Sequence, residues 1–332
     1  MIRKLTIQSF LQEEFSHIID VRSPREFAES HIPSVVNFAV LNDSEFEQVG
    51  TLYKQNPFEA RVLGASFVSA KMAQHLLKLK DMISPKKPVG IHCARGGMRS
   101  LSMAIILDNI GYQVALLENG YKAYRSEVVR YLQSPLPHRF ITLVGQTGSG
   151  KSEIIEAFTN ALDLEGMSKH LGSSFGAILG NQPSPKMFSN LLFTRLRELE
   201  GVPFTLVEGE SKKIGSVILP SILYQSYQSA PKILIQTPLE KRIERIVKQY
   251  GKITPMFFET AMQKIMPFMQ KTAWQEAKDS FYRGDLHKVA EILLVAYYDK
   301  VYKKESYDCV IPYHTIPQVI AEITDFANKY YQ

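Results

Sequence analysis

Cys93 and the residues after it form the first group of side chains suited to chemistry. The segment IHCARGGMRS places this cysteine at the end of a predicted buried strand, Val89 to His92, with Gly96 and Gly97 before a predicted helix. Glycines let successive backbone amides fold back towards one anion, and the start of a helix adds positive potential. The sequence therefore predicts a lowered thiol pKa and a reactive role for Cys93.

Two arginines accompany the cysteine loop. The guanidinium groups of Arg95 and Arg99 favour anions such as a thiolate, a persulfide or a phosphorylated chalcogen donor. The alternative for an isolated cysteine is a buried, inert thiol, and we retain that interpretation for Cys309 in the strand-like run DCVIP. Because the two cysteines fall in different predicted domains, we expect no structural disulfide and predict a reducing cytoplasm.

The second group is a phosphate-binding loop, GQTGSGKS. It follows an apolar strand-like run and precedes a helical stretch predicted from Glu153 to Leu162, which is the context that a P-loop requires. We expect Lys151 to reach the terminal phosphates and the Ser152 hydroxyl to be a magnesium ligand. The predicted phosphate-binding residues are Gly145, Gln146, Thr147, Gly148, Ser149, Gly150, Lys151 and Ser152.

Two acidic residues are predicted to complete the phosphate site. A strand-like run, Phe204 to Val207, is followed by Glu208 and, two residues later, by Glu210. In P-loop proteins an aspartate commonly holds the magnesium ion. Glutamates here weaken the case for nucleotide hydrolysis, so the sequence predicts a bound diphosphate or triphosphate and leaves its identity open.

Parallel sheets are needed to position these loops. Strand-like runs alternate with helical segments in both halves of the chain, which predicts an α/β fold. Two prolines in QSPLPH end the preceding helix, so we predict a domain at 1–134, a linker at 135–139 and a second domain at 140–332. A long helical pattern from Ile253 to Leu294 predicts a helical insertion or cap on the second sheet.

Composition limits the classes of protein to consider. The 332 residues are 45% hydrophobic and 22% charged, as in a globular protein with real cores. No run approaches the roughly 20 apolar residues of a membrane span, so we expect a soluble protein without a membrane partner. The net charge of +6 favours an anionic partner without identifying it.

Several motifs together resemble one family. IDVRSPREFAESHIP resembles the N-terminal motif of rhodanese-like domains, and CARGGMRS resembles their active-site loop. With the P-loop and the segments VGTLYKQ, LDLEGMSKHLGSSFG and VEGESKKIG, the chain resembles the tRNA 2-selenouridine synthases. The resemblance implies a rhodanese-like domain followed by a P-loop NTPase-like domain. It also implies a functional glycine near the cysteine loop at Gly64, for which the alternative is a simple helix-breaking glycine.

The resemblance further implies a two-stage reaction on the wobble 2-thiouridine of tRNAs for lysine, glutamate and glutamine. Geranyl diphosphate first alkylates the sulfur, and selenium from selenophosphate then replaces the geranylthio group. Lys151 and the loop amides would stabilise the leaving diphosphate. Cys93 would carry or position selenium as a perselenide, while Arg95 and Arg99 hold the phosphate of the donor. We expect a monomer without a tightly bound cofactor, and magnesium and a protein that supplies selenophosphate are candidate partners.

Contacts with such substrates are predicted at three further groups of residues. An adaptable apolar slot for a geranyl chain, with plain core as the alternative, is expected in one helical region. Paired lysines and clustered tyrosines are candidates for RNA phosphates and bases, with a solvated face and a packed helix as the alternatives. The slot comprises Met256, Phe257, Phe258, Met262, Met266 and Phe268, and the RNA candidates are Lys212, Lys213, Lys303, Lys304, Tyr297, Tyr298 and Tyr302.

Three other functions each fit part of the sequence. An ATP-dependent tRNA sulfurtransferase would use the P-loop to energise its substrate and Cys93 to deliver a persulfide, and it predicts nucleotide turnover. A non-catalytic sensor would contain an idle rhodanese domain, which typically lacks the cysteine that is present here. A small-molecule kinase fits the P-loop and the run TPLEKRIERI at Thr237 to Ile246, but it leaves the first domain unexplained.

Overall fold

The computed structural model describes residues 1–302 and 306–332. These residues form two compact units, one of Met1–Tyr131 with Ser189–Thr194 and the other of Leu132–Phe188 with Arg195–Gln332. Each unit has a parallel sheet with helices, which confirms the predicted α/β class. The linker predicted at residues 135–139 stays a prediction.

The sheet of the first unit carries the cysteine loop at the end of its central strand. Among the described residues its strand order is β1-β5-β4-β2-β3, and every pairing is parallel. The sequences of β4 and β5, VGIH and VALL, are buried along their whole length, as expected for strands covered on both faces. The strands are β1 (Arg3–Leu5), β2 (His17–Asp20), β3 (Val36–Asn37), β4 (Val89–His92) and β5 (Val114–Leu117).

Helices of the first unit pack on this sheet around a core that includes Ile19, Ile91 and Leu107. The second helix begins with a capping box, in which Ser23 and Glu26 each satisfy a backbone N–H of the other. The helices are α1 (Ile7–Gln12), α2 (Pro24–Glu29), α3 (Asp43–Tyr53), α4 (Pro57–Met82), α5 (Met98–Asn109) and α6 (Gly120–Leu132).

A second parallel sheet lies in the other unit. Its order in the described chain is β12-β11-β6-β8-β7, and the P-loop follows the central strand β6. An antiparallel hairpin of β9 and β10 lies outside this sheet. The strands are β6 (Phe140–Val144), β7 (Ala161–Leu162), β8 (Thr205–Glu208), β9 (Lys213–Ile214), β10 (Val217–Ile218), β11 (Lys232–Gln236) and β12 (Cys309–Pro312).

One predicted helix is shorter than expected. The helix after the P-loop ends at Ala157, and Leu162 lies in a strand instead of in that helix. Phe158 adopts an extended conformation, so the chain turns and β7 pairs with β8. The helices of this region are α7 (Lys151–Ala157), α8 (Leu164–Ser168), α9 (Pro185–Glu198), α10 (Ser221–Gln228), α11 (Leu239–Tyr250), α12 (Pro255–Ile265), α13 (Lys271–Tyr282), α14 (Leu286–Leu293), α15 (Asp299–Val301) and α16 (Ile316–Tyr331).

The predicted helical insertion is present between α11 and β12. Helices α12, α13 and α14 share a core with Phe258, Met262 and Ala277 at its centre. Helix α14 continues into a π-helical segment, Leu294–Tyr298, before α15. No helix among the described residues is long and apolar enough to span a membrane.

Candidate functional sites

Cys93 is buried directly after strand β4, where backbone and side-chain donors converge on its sulfur. The N–H of Gly97 donates to Sγ at 3.2 Å, and the hydroxyl of Ser100 donates to it at 3.3 Å. The loop folds back because Gly96 has a φ of 66°, a left-handed conformation that suits glycine. These contacts form a compact anion nest around the thiol.

The hydrogen bonds of the nest favour the thiolate even though its sulfur is buried away from water. Burial disfavours the charged sulfur, but hydrogen bonds from Ser100 and from the backbone, together with the charge of Arg99, outweigh it and lower the pKa of Cys93. The lowered pKa agrees with the sequence prediction. A thiolate in this position can act as a nucleophile. The donors around it can also bind another anion next to the sulfur.

Removing the hydroxyl of Ser100 is expected to raise the pKa of the Cys93 thiol, because a donor to the charged form is lost. At pH 7, alkylation of Cys93 by iodoacetamide should then be slower by about tenfold. The pH dependence of alkylation measures this in a Cys309→Ser background. The matched control is Ser102→Ala on the same helix, because the Ser102 hydroxyl is exposed and donates to the carbonyl of Met98. Equal profiles for Ser100→Ala and wild type would contradict the assignment.

Gly120 supports the cysteine loop and was not identified from the sequence. At its φ of 56°, an added Cβ would lie 2.2 Å from the carbonyl oxygen of Cys93 and 2.6 Å from the amide nitrogen of Gly96. Both contacts are with backbone atoms, so a larger residue would displace the loop. The dipeptide of Asn119 and Gly120 was an available signal, since Asn-Gly marks a tight turn.

The two arginines predicted to hold anions have different surroundings. Arg99 already pairs with the carboxylate of Glu26 at 2.5 and 3.3 Å and lies over the ring of Phe46. Its charge therefore supports the thiolate while its hydrogen-bond donors are engaged by Glu26. Arg95 is exposed on the loop, and it is the better placed of the two for a phosphorylated donor.

A buried charge cluster lies at the ends of the two strands beside the cysteine. Arg22 holds Asp20 with contacts of 2.6 to 3.0 Å, and its guanidinium lies 3.8 Å from the ring centre of Tyr121. The side chain of His92, the residue before Cys93, is fully buried, with Nδ1 at 3.8 Å from Asp20. Burial, outweighing its attraction to Asp20, lowers the pKa of His92. His92 is therefore uncharged at neutral pH and adds no positive charge beside Cys93.

Gly64 lies within the continuous helix α4, so the alternative interpretation as a helix-breaking glycine is wrong. The nearest atoms to an added Cβ are methyl groups of Val49 at 3.5 and 3.7 Å, in ordinary contact range. The helix tolerates this glycine because it lies among many hydrogen-bonded turns on either side. A functional role for Gly64 stays a prediction.

The P-loop adopts the glycine-dependent conformation expected of a phosphate cradle. Gly145, Gly148 and Gly150 have φ values of 154°, 79° and 96°. The ammonium group of Lys151 donates to the carbonyl of Gly145 at 2.7 Å, so it folds across its own loop. A bound phosphate would compete for this lysine with the carbonyl and with Glu208, 3.4 Å away.

A cluster of three carboxylates lies beside the P-loop, and two of them contact the hydroxyl of Ser152. This hydroxyl donates to Glu165 at 2.9 Å and to Glu208 at 3.3 Å. Carboxylate oxygens of Glu165, Glu208 and Glu210 all lie within 4.8 Å of one another. The structure therefore brings together the predicted Ser152, Glu208 and Glu210, and it adds Glu165, which the sequence analysis did not assign to the site. Glu165 arrives there on α8, after the short strand β7.

Crowding of these acids changes their protonation. Burial, followed by the charges of Glu208 and Glu210, raises the pKa of Glu165 to about 9, and burial with the charge of Glu208 raises that of Glu210. Lys151 acts in the opposite direction on both groups. A divalent cation in the cluster would replace protons as the source of neutralisation, and these hard oxygen donors suit magnesium.

Replacing Glu165 with glutamine is expected to stabilise the protein increasingly as the pH rises. In the wild type the unfolded chain ionises this group near 4.5, whereas the folded chain keeps it protonated to about 9. Unfolding then releases a proton, so stability falls with pH in this window by up to about 1.4 kcal/mol per pH unit. Thermal melts from pH 5 to 9 in EDTA measure the difference. Glu156→Gln, at an exposed site on α7, should follow the wild type, and identical behaviour of Glu165→Gln would contradict the assignment.

An apolar pocket, partly open to solvent, adjoins the P-loop at Thr147. Its walls come from α11, the helical insertion and the π-helical segment. The lining residues are Thr147, Phe175, Ile246, Val247, Tyr250, Gly251, Ile253, Phe258, Phe281, Leu286, Val289, Ala290, Leu293, Leu294 and Tyr298. The pocket joins an apolar cavity to a phosphate cradle within one unit.

The apolar slot predicted from the sequence coincides with this pocket only at Phe258. Met262 is fully buried in the helical core, whereas Met256 and Phe268 are 79% and 64% exposed. The prediction failed for these residues because they point to different sides of α12 and of the 3-10 turn after it, Met266–Phe268. Most of the pocket instead comes from α11, α14 and the π-helical segment.

The candidates for RNA contact are divided in a similar way. Tyr298 lines the pocket, and the hydroxyl of Tyr302 accepts a hydrogen bond from the N–H of Gly145 at 2.8 Å. The hydroxyl of Tyr297 contacts that of Ser174 at 3.3 Å, and base stacking by these tyrosines stays a prediction. Lys212 and Lys213 remain predictions. Lys303 and Lys304 lie outside the described residues.

The two loops and their sheets define a protein that combines a rhodanese-like domain with a P-loop domain. A model of the rhodanese-like domain matches residues 6–127. A model described as the tRNA 2-selenouridine synthase AAA domain matches residues 138–264. The two matched segments contain the cysteine loop and the P-loop respectively.

Curated relatives extend the match across most of the chain. A tRNA 2-selenouridine synthase from Cronobacter sakazakii is 34% identical over 80% of this chain and 72% of its own length. Proteins of the same name from Psychromonas ingrahamii and Sulfurovum are 32% and 36% identical over 74% and 70% of this chain. The chain belongs to the tRNA 2-selenouridine synthase family. It spans about two thirds of the length of these relatives, with 65% of the Sulfurovum protein covered.

Proposed function

We propose that this protein converts wobble 2-thiouridine in tRNA to 2-selenouridine through an S-geranyl intermediate, and that it does so in the cytoplasm. The observation that carries the prenyl step is the apolar pocket that adjoins the P-loop at Thr147. A nucleotide needs polar recognition of its base and sugar, whereas a prenyl diphosphate needs an anion cradle beside an apolar cavity. The family membership supports tRNA as the substrate.

The first stage is an alkylation. The sulfur of 2-thiouridine forms a bond to C1 of geranyl diphosphate, the C1–O bond breaks, diphosphate leaves, and N3 of the base loses its proton. Amides of the P-loop and the ammonium group of Lys151 stabilise the negative charge that grows on the diphosphate. Lys151 must leave the carbonyl of Gly145 to do so.

Magnesium fits the acidic cluster beside this cradle. Ser152, Glu165 and Glu208 would hold the ion with hydroxyl and carboxylate oxygens, which are its preferred ligands. When bound, magnesium supplies further positive charge at the diphosphate. The raised pKa of Glu165 means that binding the ion releases a proton, so the affinity for magnesium should increase with pH.

The second stage replaces sulfur with selenium. A perselenide on Cys93 formed from selenophosphate would require phosphorus to leave in a reduced state as phosphite. A route without redox change has the Cys93 thiolate add to C2 while the C2–S bond breaks and geranylthiolate leaves with a proton. Selenium of selenophosphate then displaces Cys93 from C2, and hydrolysis of the Se–P bond releases phosphate. The anion nest and Arg95 support a thiolate nucleophile and a phosphorylated donor.

Mass spectrometry of tRNA nucleosides tests this function. Thiolated tRNA is incubated with the protein and geranyl diphosphate, and selenophosphate is then added. S-geranyl-2-thiouridine should appear first and 2-selenouridine second. Appearance of neither nucleoside would overturn the proposal, and selenation that requires ATP in place of geranyl diphosphate would favour a nucleotide-dependent transferase.

A further inference from the structure

The carbonyl groups of the P-loop are held by side chains from one short stretch of the chain. The hydroxyl of Thr237 donates to the carbonyl of Ser149 at 2.8 Å, and Nε of Arg242 donates to that of Thr147 at 2.8 Å. Arg245 donates to the carbonyl of Gly148 at 3.3 Å. With its carbonyls fixed outwards, the loop presents its amides to a phosphate.

Arg242 also binds two side chains besides the carbonyl of Thr147. Its side chain is 3% exposed, and its remaining donors reach the side chain of Gln146 at 3.1 Å and both carboxylate oxygens of Asp299 at 2.6 and 3.0 Å. A buried bidentate pair of this kind fixes the guanidinium in one orientation. The position of Asp299 therefore controls how Arg242 meets the P-loop.

Asp299 directly follows the part of the chain that forms one wall of the apolar pocket. Leu293, Leu294 and Tyr298 line the pocket, and the π-helical segment ends at Tyr298. π-Helical turns are rare and frequently occur at functional sites. Because Asp299 is bonded directly to this wall, we expect a ligand that displaces the wall to displace Asp299 as well.

We propose that the Arg242–Asp299 ion pair couples the apolar pocket to the phosphate cradle, so that Arg242 is a positioning residue for a prenyl diphosphate. This inference rests on the proposed function. Filling the pocket with the apolar tail sets Asp299 and Arg242, and Arg242 sets the loop amides for the diphosphate. The two parts of the ligand are then bound with positive cooperativity.

Calorimetry on the full chain measures this coupling with separate probes, inorganic pyrophosphate for the cradle and geraniol for the pocket. In the wild type, saturating pyrophosphate should tighten geraniol binding about fivefold or more, and geraniol should tighten pyrophosphate binding by the same factor. In Asp299→Asn the factor should fall to near one, while the affinity for pyrophosphate alone changes by less than about threefold. Glu244→Gln is the matched control. It removes an exposed ion pair with Lys241 on α11, the helix of Arg242, and should keep the wild-type coupling factor.

The outcomes separate this inference from the proposed function. If Asp299→Asn retains the wild-type cooperativity between geraniol and pyrophosphate, the proposed coupling is wrong and the prenyl step is unaffected. A large loss of pyrophosphate affinity in that variant would also overturn it, because the ion pair would then only support the cradle. If geraniol does not bind the wild type, the coupling fails together with the prenyl part of the proposed function.

Discussion

Replacing Cys93 with alanine is expected to lower the rate of tRNA selenation by at least about 10³-fold, an effect that loss of a nucleophile has in other enzymes. The cause is the loss of the thiolate that Gly97 and Ser100 stabilise. Geranylation should continue at the wild-type rate. The alkylation step needs no thiolate, because its nucleophile is the sulfur of the base. Time courses of both nucleosides, followed by mass spectrometry, measure the two stages in one sample.

A second cysteine variant provides the matched control. Cys309 lies on strand β12, where it packs against the core of the second sheet and its thiol donates to the carbonyl of Val310 at 3.9 Å. Cys309→Ala should therefore preserve both stages. If Cys93→Ala is folded and yet loses geranylation, or if it retains selenation, the assignment of the two steps to separate loops is wrong.

Lys151→Ala is expected to slow geranylation by about 10² to 10³-fold, the cost of losing one preorganised charge that stabilises a transition state. Neither the loop amides nor the acidic cluster can replace its positive charge. Single-turnover rates with saturating geranyl diphosphate measure the effect on the chemical step. Lys241→Ala, which removes an exposed lysine of α11, should leave the rate unchanged.

The same substitution should also change the acidic cluster. Lys151 lies 3.4 Å from Glu208 and counteracts the raised pKa values of Glu165 and Glu210. Without it, the cluster should retain its protons to higher pH. Restoration of the rate by Lys151→Arg would support a role of charge, and a wild-type geranylation rate in Lys151→Ala would contradict the proposed cradle.

Both reactive loops could be predicted because their chemistry depends on local backbone conformation. Gly96 of CARGGMRS and the three glycines of GQTGSGKS adopt positive φ angles within a few residues, and those turns direct the amides to one point. The strands before these loops are short apolar runs, which are equally local signals. The end of α7 was misjudged because residues 158–162, FTNAL, contain no glycine or proline to mark where the helix stops.

The rest of the phosphate site depends on tertiary structure. Glu165 reaches Ser152 because β7 pairs with β8. The sequence LDLEG contains no local pattern that predicts this contact. Arg242 and Asp299 are 57 residues apart in the sequence, so their ion pair has no local signal. The pocket was predicted from residue type alone, which does not distinguish the lining face of a helix from its core or solvent face.

The most direct test bypasses the first stage by supplying its product to the second. tRNA that already contains S-geranyl-2-thiouridine is given to Lys151→Ala and to Cys93→Ala together with selenophosphate. We predict that Lys151→Ala forms 2-selenouridine at the wild-type rate and that Cys93→Ala forms none. Failure of Lys151→Ala to use this tRNA would contradict the central claim that the P-loop and the cysteine loop perform successive steps of one reaction.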